Sequence, residues 1–144
     1  MLENCNIWLL KLQESGYRLT DSRRTVVEIV AGSQRALAPL EIYDLARKQH
    51  AGLGLVTVYR TLEKLEELHL IQRVHRPEGC QAFIAAFTGH QHLILCSHCG
   101  RVQFFDGDNL EGLFQNIGQE TGYQVREHWL QLFGLCAGCR EEGQ

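Results

Sequence analysis

The sequence lacks long hydrophobic runs, and no apolar stretch approaches the roughly 18–20 residues that a membrane-spanning helix requires. Its first residues, MLENCNIWLLKLQESG, lack both a basic segment and a small-residue cleavage site, so we expect no secretory signal. Repeats and low-complexity segments are also missing, and hydrophobic residues make up 44% of the 144, as in ordinary globular proteins. We therefore expect a cytoplasmic protein with one ordinary domain or two small ones.

The chain also lacks a strong excess of either charge, and its formal net charge is −3. Residues 1–78 carry eleven Lys or Arg and ten Asp or Glu (+1), whereas residues 79–144 carry three and seven (−4). This imbalance is too small to establish nucleic-acid binding, and a mixed solvated surface explains it equally well. If the protein contacts a polyanion, the N-terminal half is expected to do so.

Four amphipathic helices followed by a hairpin are predicted in the N-terminal half, the last helix being VTVYRTLEKLEELHL and the strands IQRVHR and CQAFIA. This order is typical of a winged helix-turn-helix, with a recognition helix over residues 57–68 capped by Thr57. A plain helical core is the alternative, because the pattern alone is weak. The candidate DNA contacts on the recognition helix are Thr57, Tyr59, Arg60, Thr61 and Lys64.

The second half of the sequence predicts a small unit of strands and one helix. HLILC and RVQFF are typical of short strands around a cysteine turn, DNLEGLFQNIGQETG of an amphipathic helix, and YQVREHWLQLFGLC of a longer final strand. Such a unit, about 55 residues long, is too small to fold stably alone and requires a cross-link, such as a metal site, or a partner chain. The predicted fold class is α+β.

Two CxxC pairs are the strongest signal in the sequence. Cys96 and Cys99 precede a glycine, and Cys136 and Cys139 follow after 36 intervening residues. Four thiolates at this spacing form the tetrahedral cage that zinc prefers, and a site with four protein ligands is closed to substrate and therefore structural. Rubredoxin-like iron, a redox disulfide switch and inert thiols are the alternatives.

Three histidines and a glutamate form a second candidate metal site. His90 and His92 are two positions apart on an extended segment, so their imidazoles point to the same side. His128 is expected at the centre of the final strand, and Glu111 near the start of the amphipathic helix. This set suits zinc, iron(II), cobalt or manganese. Whether the four converge is not evident from the sequence, and each taken singly is most often a surface residue.

The remaining cysteines and histidines have less specific interpretations. Cys5 and Cys80 are interpreted as small apolar fillers. His98, inside the first CxxC, is interpreted as a solvent-facing spacer, and His75 as a surface residue close enough to the hairpin's end to join a metal site.

An enzyme is disfavoured by missing motifs. Neither G-x-S-x-G nor the deaminase signature H-x-E…P-C-x-x-C occurs in the sequence. A metallohydrolase requires an open metal position with a general base beside it. Glu111 could supply that base only by leaving the metal with three histidines.

From Gly16 to Cys139 the sequence resembles the ferric uptake regulator family, which includes sensors of metals and peroxide. The resemblance is carried by GYRLTDSRR, GLVTVYRTLEKLEELHLI, HQHLILCSHCGRV and the final CxxC. It implies a homodimeric repressor that binds a palindromic operator in double-stranded DNA. It also places Tyr59 and Arg60 on the recognition helix and implies that Arg18 reaches the DNA backbone or minor groove.

The resemblance also implies a domain organisation. A winged-helix DNA-binding domain covers residues 1–84, a hinge covers 85–89, and a dimerization and metal-binding domain covers 90–144. In the family, a metal at the hinge fixes the two DNA-binding domains at the right spacing.

The family's ligand positions, counted from Cys96, fall on His90, His92, Glu111 and His128. The resemblance therefore implies a regulatory metal in addition to the structural Zn²⁺. A tetrahedral set of these ligands suits Zn²⁺, whereas an added water suits Fe²⁺ or Mn²⁺.

A second site common in the family is missing from this sequence. The ligand positions of that site would fall between and after His90 and His92, where this sequence has Gln91 and Leu93. Its positions on the hairpin strand hold Ile84 and Ala85, and its position in the N-terminal domain holds Ala36. We therefore expect regulation to depend on the histidine–glutamate set, with Cys80 or His75 as possible recruits.

Peroxide sensing and thiol-based redox sensing are two other chemistries on which the sequence bears. The peroxide-sensing variety of the family needs an aspartate where Phe104 stands, so that chemistry is disfavoured. A thiol-based redox regulator that uses the two CxxC pairs is the alternative function.

Overall fold

The computed structural model describes residues 2–87, 89–107 and 109–143. No described helix is both long and apolar enough to cross a bilayer. Thr88, in the predicted hinge, lies outside the described residues, as do Met1, Asp108 and Gln144. The helices of the described part are α1 (Leu2–Glu14), α2 (Asp21–Gly32), α3 (Pro39–Ala46), α4 (Leu55–Glu67), α5 (Leu110–Thr121) and α6 (Ala137–Glu142). Its strands are β1 (Ile71–His75), β2 (Gln81–Ala85), β3 (Gln91–Cys96), β4 (Val102–Asp106) and β5 (Gln131–Gly134).

The four N-terminal helices pack around one hydrophobic core because each turns an apolar stripe inward. Val26 and Val30 of α2 are buried in the same cluster as Leu62 and Leu65 of α4. Burial of a side chain of this size contributes about 1.5–3 kcal/mol relative to exposure. Ile42 of α3 belongs to the same cluster, so core packing holds the helix-turn-helix pair of α3 and α4 together.

The recognition helix α4 begins earlier than predicted. Its N-cap is Gly54, and Thr57 lies inside its first turn, so the prediction of a Thr57 cap is wrong. Threonine before an apolar run is a preferred cap, but Leu55 and Val56 continue the helical pattern backwards. The helix thereby presents an additional residue, Val56, at its exposed start.

Two sheets follow the helices. Strands β1 and β2 form the antiparallel hairpin that was expected of a wing, and the other sheet has the order β4–β3–β5, with β4 antiparallel and β5 parallel to β3. The predicted long final strand is wrong over most of its length, because pairing with β3 begins only at Gln131. Gly122 ends α5 with a φ of 75°, and residues 122–130 then run without regular structure. Helix α6 is not predicted from the sequence.

The wing and the C-terminal sheet share a second hydrophobic cluster. Val74 and Ile84 of the hairpin are buried together with Leu93 and Leu95 of β3. The segment after α2 also pairs with the turn after β3, because the Ala36 N–H donates to the carbonyl oxygen of residue 100 at 2.9 Å. The winged-helix half therefore packs directly on the C-terminal sheet in this conformation.

A side-chain amide further joins β5 to the wing. Gln131 Nε2 donates to the His75 carbonyl oxygen at 2.6 Å, and Gln131 Oε1 accepts the His75 N–H at 3.1 Å. This pair imitates the reciprocal hydrogen bonds of antiparallel strands. The Trp129 ring lies edge-on to the His75 imidazole, with centroids 5.0 Å apart. The division into residues 1–84, 85–89 and 90–144 stays a prediction.

Candidate metal centres and DNA-binding surface

The four cysteines of the CxxC pairs come together at one end of the C-terminal sheet. The sulfurs of Cys96, Cys99, Cys136 and Cys139 all lie within 4.8 Å of one another. Those of Cys99 and Cys136 are 3.8 Å apart. Sulfurs placed tetrahedrally about 2.3 Å from a zinc ion would be separated by about the same distance. The geometry of this cluster therefore fits a structural four-thiolate zinc site.

Backbone hydrogen bonds shape the first CxxC turn. The Gly100 N–H donates to the Cys96 carbonyl oxygen at 3.0 Å, and the Ser97 N–H donates to the Gly134 carbonyl oxygen of β5 at 2.8 Å. Gly100 has a φ of +74°, a left-handed conformation that glycine adopts without strain. The turn is thus tied to the strand that leads into the second CxxC pair.

The surroundings of the sulfurs favour a thiolate at Cys96. Burial opposes its ionisation, but the backbone N–H groups of Cys99, Cys136 and His98 outweigh this effect and lower the pKa of Cys96 to about 6. The side-chain hydrogen bond with Cys136 is the largest of the effects that raise the pKa of Cys139 to about 12. A metal must therefore displace a proton from Cys139, so acidification weakens metal binding.

The histidine–glutamate set lines one cleft, which lies between α5 and the irregular segment that follows it. His90, His92, Glu111 and His128 all border this cavity of about 1100 Å³. His92 is 8% exposed, whereas the other three side chains are exposed. The rings of His92 and His128 have centroids 5.1 Å apart. The fold thus gathers four candidate ligands from separate elements around one cavity.

The structure does not bring these four donor groups into direct coordination distance. In the parts of the chain that the structure covers, metal-binding atoms of three or more residues come within 4.8 Å in two groups only. These groups are the four cysteines and the trio of His98, Cys139 and Glu142. The prediction that His128 lies at the centre of a strand is wrong, because it lies in the irregular segment before β5. Its role as a ligand stays a prediction.

Gly107 positions His92, and no sequence pattern indicates this role. A Cβ at position 107 would overlap Cδ2 of His92 and lie 2.8 Å from its Nε2. The imidazole is buried, and its centroid lies 5.7 Å from that of the Phe105 ring, so it has little room to move away from an added Cβ. Only glycine allows the ring to occupy this place in the cleft.

We expect Gly107→Ala to weaken divalent-metal binding at the cleft about 10- to 100-fold, as changes around a metal ligand commonly do. Titration against a competing chelator measures this affinity. Gly112→Ala is the matched control, because a Cβ there meets no atom within 4 Å. Equal affinities of the two variants would contradict a ligand role for His92.

Helix α4 presents an exposed face at its start. Val56 and Tyr59 are 62% and 46% exposed, Arg60 is also exposed, and Thr57 is half-buried at the edge of this face. Val56 is not among the predicted contacts, because the predicted recognition helix begins after it. Its aliphatic side chain could pack on a thymine methyl group, whereas Arg60 could bond the acceptor atoms of guanine.

Thr61 does not belong to this face, so its prediction as a DNA contact is wrong. Its side chain is 0% exposed, and its hydroxyl donates to the Thr57 carbonyl oxygen at 2.7 Å. It also lies 3.4 Å from the Tyr17 hydroxyl. Each helical residue rotates by roughly 100°, which turns position 61 inward although it directly follows two exposed residues.

The other two predicted contacts are basic. Arg18 is exposed just before α2, and its carbonyl oxygen accepts a 2.6 Å hydrogen bond from Nη1 of Arg23. Lys64 is partly exposed and forms a 3.1 Å ion pair with Glu67. Surface pairs of this kind are weak, so a phosphate could compete for the ammonium group.

We expect Arg60→Ala to weaken specific DNA binding about 10- to 100-fold per half-site without changing stability, because its side chain is exposed. Thr61→Val is the matched control on the same helix. It loses a buried hydrogen bond worth about 1 kcal/mol, so it should lower the Tm but keep the DNA affinity. Fluorescence anisotropy and thermal unfolding separate the two effects, and a reversed pattern would contradict the assigned face.

Comparison with known proteins agrees with this architecture. The sequence model of the ferric uptake regulator family matches residues 14–133. The ferric uptake regulation protein of Cupriavidus metallidurans is 35% identical over 127 residues, which cover 87% of this chain and 88% of that protein. A zinc-bound manganese uptake regulator has a similar structure, with a TM-score of 0.71 and 26% identity over 90% of this chain and 98% of that chain.

A zinc uptake regulator in complex with zinc and DNA shares the fold, with a TM-score of 0.69 and 22% identity over 99% of this chain and 96% of that chain. The family match covers more than four-fifths of the sequence and includes both the recognition helix and the first CxxC pair. The chain therefore belongs to the ferric uptake regulator family of metal-responsive transcription regulators.

Proposed function

We propose that the protein is a cytoplasmic, homodimeric repressor of metal-homeostasis genes whose binding to a palindromic operator depends on a divalent metal in the histidine–glutamate cleft. The observation that carries the proposal is the convergence of His90, His92, Glu111 and His128 on one cavity. These residues come from β3, the segment before it, α5 and the irregular segment, so a shared ion would tie these elements together.

Two kinds of metal site with different roles support this proposal. The four-cysteine cluster is closed by protein ligands and would hold a structural Zn²⁺, which leaves no position for a substrate and argues against an enzyme. The cleft offers three imidazoles and a carboxylate, all exposed except His92, and this set suits an exchangeable Zn²⁺ or Fe²⁺, with Mn²⁺ as a further alternative. When bound, such an ion would supply positive charge, and His90, His92, Glu111 and His128 would be the residues that hold it.

A link from the cleft to the wing also supports the proposal. Gln72 of β1 lines a cavity of about 170 Å³ together with His90, His92 and His128. Within the part of the chain that is described, Nε2 of Gln72 is buried without a hydrogen-bond partner. A movement of these histidines would therefore act on the wing through Gln72 of β1. The metal favours one wing orientation only by binding that state more tightly than others.

Dimerization is supported by the edge of the C-terminal sheet. Strand β5 lies at one side of the β4–β3–β5 order, and Leu132, Phe133 and Leu135 are 42%, 47% and 55% exposed. Apolar side chains on a strand edge favour pairing with another chain. A dimer with two-fold symmetry would read a two-fold operator, with binding that weakens steeply as salt rises.

The test is metal content per chain by elemental analysis, before and after mild chelation, with DNA binding followed in parallel. The DNA is a duplex selected from a random library by the metal-loaded protein. Two metals per chain, of which one resists the chelator and one is lost together with DNA binding, support the proposal. One retained zinc with DNA binding unaffected by chelation contradicts it and favours the thiol-based redox alternative.

A further inference from the structure

A second group of metal-binding side chains adjoins the four-cysteine cluster. The donor atoms of His98, Cys139 and Glu142 all lie within 4.8 Å of one another. Cys139 and Glu142 are separated by three residues on α6, which places them on the same helix face. His98 approaches them from the turn between Cys96 and Cys99. The fold thus brings His98 against two neighbouring residues of α6, although the four-cysteine cage itself requires neither His98 nor Glu142.

The chemistry of this trio suits a borderline divalent cation. It offers an imidazole nitrogen, a thiolate sulfur and a carboxylate oxygen, each of which is a common zinc ligand. Cys139 belongs to both groups, and a thiolate sulfur has enough lone pairs to bridge two metal ions. A zinc ion surrounded by four thiolates leaves an excess of two negative charges, which attracts a second cation to its surface.

We propose that His98, Cys139 and Glu142 form a second cation site, which holds a Zn²⁺ ion that shares the Cys139 sulfur with the four-cysteine cage. The proposal rests on the cage holding zinc, as proposed above. His98 and Glu142 are exposed, so water completes the coordination and the ion exchanges with solvent. Cys96 is buried in the cage, whereas His98 and Glu142 are exposed, so an ion held at the outer site passes into the cage through the shared Cys139 sulfur.

The test counts Cd²⁺ ions, used as a probe for zinc, on the full chain. All proteins carry His90→Ala and His128→Ala, so that the cleft does not contribute. The test variant adds His98→Ala and Glu142→Ala, and the matched control adds His50→Ala and Glu141→Ala, which removes the same two residue types elsewhere. Sulfur-to-cadmium charge-transfer absorption reports the cage, and equilibrium dialysis with elemental analysis gives the stoichiometry.

We expect two Cd²⁺ ions per chain in the control, one tightly and one weakly held, and one in the test variant, with the same cage absorption in both. Equal stoichiometry in the two proteins overturns the proposal. Missing cage absorption in the control overturns the zinc cage and the outer site together, whereas an intact cage with equal stoichiometry overturns the outer site alone.

A rate measurement tests the role in loading. Metal-free protein is mixed with Zn²⁺, and occupancy of the cage is followed with a chromophoric zinc indicator. We expect several-fold slower loading in the test variant than in the control. Equal rates, together with the loss of the second ion, would overturn the loading role.

Discussion

Cys136→Ser is expected to release the structural zinc and to destabilise the C-terminal half of the chain. The described residues of α5 and β5 include no buried side chain, so the core of this half is limited to β3 and β4, whose buried side chains cluster with those of the wing. The cysteine cage ties β3 to the segment after β5, and metal binding to such a site acts as folding free energy. The loss therefore removes the main link between the sheet and the C-terminal helix.

The size of this effect follows from the free energy of structural zinc binding. Zinc-finger peptides gain about 10–16 kcal/mol from their metal, so a loss of about 5 kcal/mol here is a conservative expectation. For a chain of this size it would lower the Tm by roughly 10–20 °C. Elemental analysis and thermal unfolding measure the two effects together.

The chain provides matched controls for this experiment, because two cysteines lie outside the cage. Cys80 is exposed and Cys5 is half-buried against the N-terminal core. We expect Cys80→Ser to keep its zinc and its Tm, and Cys5→Ser to keep its zinc. Zinc retention and an unchanged Tm in Cys136→Ser would show that the cage is not the staple of this domain.

The double variant His90→Ala/His128→Ala is expected to lose metal-dependent DNA binding while keeping the structural zinc. It removes two of the four proposed ligands, which leaves His92 and Glu111 too few to hold an ion tightly. Neither replaced side chain is buried, so folding should be preserved. We expect the metal-stimulated increase in DNA affinity to disappear, with thermal unfolding close to that of the unmodified protein.

Metal titration of DNA binding measures this effect, and His50→Ala is the control, since His50 lies in the connection between α3 and α4 and does not line the cleft. The control should keep the full metal response. A double variant that binds its operator as tightly as the unmodified protein, with the same response to metal, would remove the cleft from the regulatory mechanism.

The sequence determined the helices and strands whose signals are local. Helices α1 to α3 and the wing hairpin follow hydrophobic periodicity, and the CxxC pairs determined the composition of the cysteine cluster. The CxxC spacing predicts a zinc cage because the two cysteines of each pair are close enough in the chain to bind the same ion. The family assignment rests on these same local motifs.

Only the tertiary structure decided which side chains of α4 are exposed and how the two halves meet. Thr61 follows Tyr59 and Arg60 in sequence, but the rotation of the helix against its core buries Thr61 and leaves Val56 exposed. The cap is Gly54 and not Thr57, because Leu55 and Val56 extend the helix backwards.

Tertiary packing also decided the final strand and the sites around it. YQVREHWLQLFGLC has strand-like alternation throughout, yet a strand exists only where a neighbour supplies hydrogen bonds, and β3 offers them from Gln131 onward. His98, Glu142 and Gly107 have no pattern of their own in the sequence. Folding alone brings His98 against Cys139 and Gly107 against His92, whereas Glu142 lies one turn from Cys139 on α6, a helix that the sequence does not predict.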